Sequence, residues 1–165
     1  MKKIIFVILL CLVLGVASYF GTMELDKLRK GGEVNLTVTF DDTETYVIPS
    51  ISKMDKENAL KEWPYIIEAK NTGKGNGLYQ IIITDMEKST IKRENLSYSL
   101  YLDDKEIKSG KLDEIEKDVL YTGNILGNST QKFKLYIWVT EEVQKDSIYE
   151  YKLEFNTIKE GGPGF

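Results

Sequence analysis

The stretches KFKLYIWV, residues 132–139, and YEYKLEFN, residues 149–156, decide the fold class. In the first, Phe133, Leu135, Ile137 and Val139 alternate with Lys132, Lys134, Tyr136 and Trp138. In the second, Tyr149, Tyr151, Leu153 and Phe155 alternate with Glu150, Lys152, Glu154 and Asn156. Successive side chains of a strand point to opposite faces, so this period of two describes strands with one buried face. Both runs are too short and too strictly alternating for an amphipathic helix.

Working outward, Val34, Leu36, Val38 and Phe40 alternate with Asn and Thr, and Asp41-Asp42 supplies a turn before a strand over residues 45–48. Residues 52–61 read as a crossover with a helical turn, Ser52 being the N-cap and Asp55 standing three residues on. Strand signals resume at residues 65–70 and 79–84. Asn71-Thr72-Gly73-Lys74-Gly75-Asn76-Gly77 lies between them, and glycines that permit positive φ predict a hairpin there. Leu96, Tyr98, Leu100 and Leu102, followed by Asp103-Asp104 and Lys105 to Lys108, predict a second hairpin, and residues 119–125 a further strand. About eight or nine short strands punctuated by turns predict an all-β antiparallel β-sandwich, jelly-roll or immunoglobulin-like. Its expected core is Leu36, Val38, Ile81, Leu100, Leu135, Ile137, Leu153 and Phe155.

A chain of 165 residues accommodates one such domain plus an export segment. Lys2-Lys3 followed by 17 uncharged residues, Ile4 to Phe20, with Gly15, Ala17 and Ser18 near the end, has the layout of a signal peptide. It is also just long enough for a tilted membrane anchor, and both readings stand. The resulting boundaries are 1–20 signal peptide or membrane anchor, 21–33 linker, 34–158 β-sandwich domain and 159–165 flexible tail, the last ending in Gly-Gly-Pro-Gly-Phe. This places the mature protein outside the cell or on the outer face of the cytoplasmic membrane, with the N-terminal segment contacting membrane at least in transit.

Composition removes several function classes. The chain has no histidine, and its one cysteine, Cys11, sits in the apolar run, so His-based triads, HExxH zinc sites, CxxC pairs and internal disulfides are excluded. Leu10 stands before Cys11 where a lipidation site needs a small residue. The net charge is −4, or about −6 once Lys2 and Lys3 are removed, and no basic stripe offsets it, which argues against nucleic acid as a partner.

The remaining motifs have bland readings as well as functional ones. Asp41-Asp42 and Asp103-Asp104 carry oxygen ligands of the kind calcium prefers but no spaced ligand set, and read as solvated turns. Gly73 to Gly77 lacks the GxxxxGK[ST] order of a phosphate loop. Trp138 and Tyr136, with Tyr101, either form an outward contact for carbohydrate or protein or pack against a second layer. Asn35, Asn95 and Asn128 match glycosylation sequons, which matter only in a eukaryotic secretory pathway. No residue is assigned a catalytic, cofactor-binding or metal-binding role.

Val16-Ala17-Ser18-Tyr19-Phe20-Gly21-Thr22, the segment Pro64 to Gly73 with its Asn-Thr-Gly turn, and the pattern from Tyr121 through Asn128 to Trp138 together resemble the TasA/camelysin group of bacterial exported proteins. The resemblance spans most of the chain from about Ile4 to Asn156. It implies a secreted jelly-roll domain, and some members of that group assemble into extracellular filaments by lending a strand to a neighbour. Metalloprotease activity described for camelysin-like members has no histidine here to receive it. The expectation is a cell-surface or biofilm-matrix structural protein, not an enzyme and without a cofactor, that self-associates or binds a protein partner through strand edges. An adhesin-like module, anchored in the membrane and binding carbohydrate or protein, is the alternative.

Overall fold

The structure, a computed structural model, describes residues 32–40, 45–49 and 52–158. Nine strands follow one another among them: β1 (Leu36–Phe40), β2 (Thr45–Pro49), β3 (Tyr65–Asn71), β4 (Gly77–Asp85), β5 (Leu96–Leu102), β6 (Lys105–Lys111), β7 (Val119–Ile125), β8 (Ser129–Val139) and β9 (Ile148–Ile158). A short helix, α1 (Lys56–Ala59), stands between β2 and β3. The strands form two antiparallel sheets, ordered β1-β3-β8-β5-β6 and β2-β9-β4-β7, so the fold is all-β. The expected export segment 1–20, nearly all of the linker, the Asp41-Asp42 turn and the tail 159–165 lie outside the described residues. No helix among the described residues is long and apolar enough to cross a membrane.

One core joins the two sheets, and alternation builds it. Ile67 and Ala69 of β3, Tyr79, Ile81 and Ile83 of β4, Leu96 and Leu100 of β5, and Tyr149, Tyr151 and Leu153 of β9 are all buried at every second position. Tyr79 stacks on Phe155 of its own sheet at 4.5 Å and meets Phe133 of the opposite sheet edge-on at 6.2 Å. Gly123 makes room for this ring, since a Cβ there would stand 2.7 Å from the Tyr79 hydroxyl. Of the eight expected core residues, Ile81, Leu100, Leu135 and Leu153 are buried. Leu36, Val38, Ile137 and Phe155 are half-buried against the core, because each lies where a sheet runs out of neighbours.

Three expectations need correction. The segment between β3 and β4 is not a hairpin, because β3 belongs to the first sheet and β4 to the second. Its glycines do not adopt positive φ either. They allow close approach instead: a Cβ on Gly73 would lie 1.9 Å from the Glu33 carbonyl oxygen and one on Gly75 1.8 Å from that of Gly32. Thirdly, the N-cap of α1 is Asp55, whose carboxylate accepts from the Asn58 N–H at 2.9 Å, and not Ser52. The β5–β6 hairpin forms as expected, with Leu102 paired to Lys105. Asp103 and Asp104 between them have φ of 47° and 67°, the left-handed pair that a two-residue type I′ turn requires.

Candidate functional site

A sandwich of two open sheets has two seams where edge strands face each other, and here the two differ in chemistry. At one, β6 and β7 are the edges. The gap there is lined by Gln80, Lys108, Glu114, Glu116, Lys117 and Val119, and the Lys108 ammonium reaches across it to the Val119 carbonyl at 3.4 Å. Lysines on an edge and bulges in it both deter strand addition. Lys105, Lys108 and Lys111 of β6 are each exposed, and register shifts interrupt both the β5–β6 and the β4–β7 pairing.

The other seam has an apolar row on β1 facing mixed apolar and polar residues of β9. β1 has β3 on one side, and no described strand pairs with its other edge. β2 covers β9 only from Ile148 to Lys152, so the half of β9 beyond Lys152 has β4 on one side and no described strand on the other. A groove of about 400 Å³ runs between these two edges, lined by Leu36, Val38 and Phe40 of β1 and by residues 152–156 of β9. The three β1 side chains recur with period two, half-buried, while Thr37 and Thr39 face solvent. Backbone N–H and C=O groups beside an alternating apolar row are the chemistry that accepts an added strand.

The chain entering β1 is fixed at the end of this seam by Asn71, a buried amide with every polar atom engaged. Its Oδ1 accepts from the N–H groups of Asn35 at 3.2 Å and Gly73 at 3.0 Å. Its Nδ2 donates to the carbonyls of Gly75 at 2.7 Å and Leu126 at 3.2 Å. Thr72 and Gly75 N–H groups donate in turn to the carbonyls of Asn35 and Glu33. Residues 33–35, read from sequence as the end of a linker and the start of a strand, are thus strapped to the β3–β4 turn.

Of the aromatics expected to face outward, Trp138 is buried, 6% exposed, on the face that α1 and its flanking loops cover, with the Met54 N–H donating to the Val139 carbonyl. Tyr136 and Tyr101 meet edge-on at 5.7 Å, and the Tyr101 hydroxyl donates to Glu106 at 3.0 Å. Lys56 of α1 also pairs with Glu106, at 2.7 Å, and the bonds from Lys56 and Ser109 hold that carboxyl below its ordinary pKa. Of the acidic pair at the β5–β6 turn, Asp104 bonds Lys134, which lowers the Asp104 pKa, and the Asp103 carboxylate accepts from the Lys132 N–H. The exposed aromatic is instead Trp63, 93% exposed, which sequence reading passed over because no alternation surrounds it.

A third cluster is structural. Arg93, 17% exposed, donates to Asp85 and Asp118, each at 2.7 Å, and to the Ile83 carbonyl. The Tyr149 hydroxyl donates to Asp85 at 2.6 Å. Burial opposes the Arg93 charge, but the bonds to its two carboxylates outweigh it and leave its pKa raised. Burial first, then Asp85, pushes the Tyr149 phenol far above its ordinary value.

Among the described residues no group of three or more Cys, Asp or Glu side chains is placed to hold a metal ion. No protein-family model and no curated protein matches the chain.

Proposed function

We propose that this chain is an exported structural and interaction protein of the bacterial cell surface or extracellular matrix, related to the TasA/camelysin group, which associates by adding a strand at the β1/β9 seam. The observation that carries the reading is the contrast between seams: one is lined by charged side chains and bridged by Lys108, whereas at the other an apolar β1 row lies beside strand edges without a described partner. Every connection except β5–β6 passes from one sheet to the other, which supports jelly-roll winding of the finer topology. The Lys2-Lys3 and apolar layout of the N-terminus supports export.

The strand that enters the seam must carry apolar residues at every second position to meet Leu36, Val38 and Phe40. Residues 23–31 offer Met23 and Leu25 on one face and Leu28 on the other, a weak match, so affinity through that segment is modest. On this reading the protein performs no metal-dependent hydrolysis. The test compares a chain beginning at Met23 with one beginning at Val34 and with a Val38→Lys variant of the first, by sedimentation over a wide concentration range. Association of the Met23 chain past two copies is expected, and Val38→Lys abolishes that growth. Monomers throughout, alone and with cell-surface extract, defeat the reading.

A further inference from the structure

Where β8 outruns β3, sheet one has a notch. β3 reaches along β8 only to the Tyr65–Leu135 pair, Met54 meets Val139, and on that side no described strand flanks Ile137, which pairs with Tyr98 of β5 on the other. An apolar cavity of about 270 Å³ opens there, with Tyr46, Tyr65, Leu135, Trp138 and Tyr151 in its wall and Val47 and Glu62 among its other lining residues. Trp63 also borders it, yet is 93% exposed, so its indole stands out beside the opening instead of filling it. An apolar cavity of about 150 Å³ holds a benzene ring. The larger volume here accommodates a bicyclic indole.

A two-fold interface uses the same patch on both partners, so that patch must be complementary to itself. A protruding indole beside a hole of indole size meets that requirement. We infer that Trp63 and this cavity form a reciprocal socket between two copies of the chain, each copy seating its Trp63 in the other's cavity. Charge fits the same occupant. Glu62 lines the opening, while nearby in sequence Lys61 pairs with Glu57 at 3.3 Å and Lys53 with Glu141 at 3.6 Å, so these charges are compensated within one copy and set little repulsion against a second. The overall charge of −4 is screened beyond about 10 Å at ordinary salt. Buried Trp anchors in pockets dominate interface energetics, which makes Trp63 the anchor here. The socket shares no lining residue with the β1/β9 groove and does not depend on strand addition there.

The test uses the full chain in neutral, density-matched detergent, which shields the apolar run 4–20, and reads mass by sedimentation and environment by tryptophan emission. Trp63 and Trp138 are the two tryptophans, one exposed and one buried, so seating Trp63 shifts the emission to the blue as concentration rises. The expected result is a monomer–dimer step with the blue shift complete at the dimer, any growth by strand addition adding mass without further shift. Trp63→Ala removes an exposed side chain, leaves the fold intact and weakens dimerisation on the order of 100-fold. Val47→Lys blocks the cavity, and Val47 is 46% exposed and lies opposite Glu150, so lysine is tolerated there. It is expected to weaken dimerisation as much. Mixing the two variants restores part of it, because the first supplies an intact cavity and the second an indole. Dimerisation unchanged by Trp63→Ala, a blue shift without added mass, or no association at any concentration would each overturn the socket.

Discussion

Replacing Asn71 by alanine removes a side chain that ties the chain entering β1 to the β3–β4 turn and to the end of β7. The residue is 1% exposed, and four hydrogen bonds of 2.7 to 3.2 Å converge on it. A hydrogen bond is worth about 1 kcal/mol net, and a buried polar group left without a partner costs about 1–3 kcal/mol. Asn35 and Leu126 are exposed, so water takes over part of their share, whereas Gly75 is buried and its carbonyl is orphaned. The sum is a loss of about 3–5 kcal/mol, a large part of the ~5–15 kcal/mol typical of a domain. Asn71→Asp separates the amide from its shape. It keeps both accepted bonds but points carboxylate oxygen at two carbonyls, so it should cost at least as much as alanine. Equilibrium urea unfolding followed by tryptophan emission measures both, the midpoint falling by more than about 1 M at unchanged slope. A loss below about 1 kcal/mol for Asn71→Ala would show that residues 33–35 are not held by this amide.

Leu135→Ala or Leu153→Ala, each at a buried site, should cost about 2–5 kcal/mol in the same assay, and losses under 1 kcal/mol at both would mean that the register is wrong. Ser99 Oγ is buried without a partner among the described residues, so Ser99→Ala should leave stability unchanged or raise it by about 1 kcal/mol, and a marked loss in the urea midpoint would reveal a bond to that hydroxyl. Burial raises the pKa of Tyr79, Tyr149 and Tyr151 above the ordinary 10.0, so these phenols favour the folded state fully below pH 10 and lose that contribution as pH rises past it. Tyrosinate absorbance should therefore show these three ionising late, together with alkaline unfolding, and their titration near pH 10 in the folded protein would contradict their burial. The Glu106 pKa is lowered by Lys56 and Ser109, so its smaller, solvent-screened contribution is present above the ordinary 4.5 and lost as pH falls below it; Lys56→Ala should flatten that part of the acid unfolding profile.

Much of the fold was legible because alternation is written residue by residue. Phe133 and Leu135, or Tyr151 and Leu153, state which face is buried, and the Asp103-Asp104 pair between two alternating runs states a tight hairpin. What alternation omits is which sheet a strand joins. Residues 71–77 look like a hairpin loop because glycines and polar residues separate two strands, but the same composition serves an arch between sheets. The distinction lies in Glu33 and Gly32 crossing within 2 Å of where glycine Cβ atoms would stand, a contact between segments some 40 residues apart. Asn71 escaped notice for the same reason, its partners being at residues 35, 73, 75 and 126. Trp63 sits between Glu62 and Pro64 outside any periodic run. Only the three-dimensional placement of α1 shows that Trp138 is covered while Trp63 is not.

The two seams carry the functional argument further than any single residue. A sandwich that merely avoided aggregation would guard both seams alike, since each leaves edge groups open to another chain. Here the guarding is one-sided. Lysines at 105, 108 and 111, the interrupted register beside them and the Lys108 bridge are all at the β6/β7 side. At the β1/β9 side, β1 carries neither charge nor proline, and its apolar row, Leu36, Val38 and Phe40, lies along the groove. On β9 the residues that border the groove include Lys152 and Glu154, which pair with each other at 3.1 Å, so their charges are compensated locally. Asn71 meanwhile holds the start of β1 against the β3–β4 turn, which keeps the groove from collapsing by a shift of its edge strand. On the proposed reading, an apolar β1 row beside open strand edges, opposite a seam closed by charge, would direct strand addition to one side of the domain.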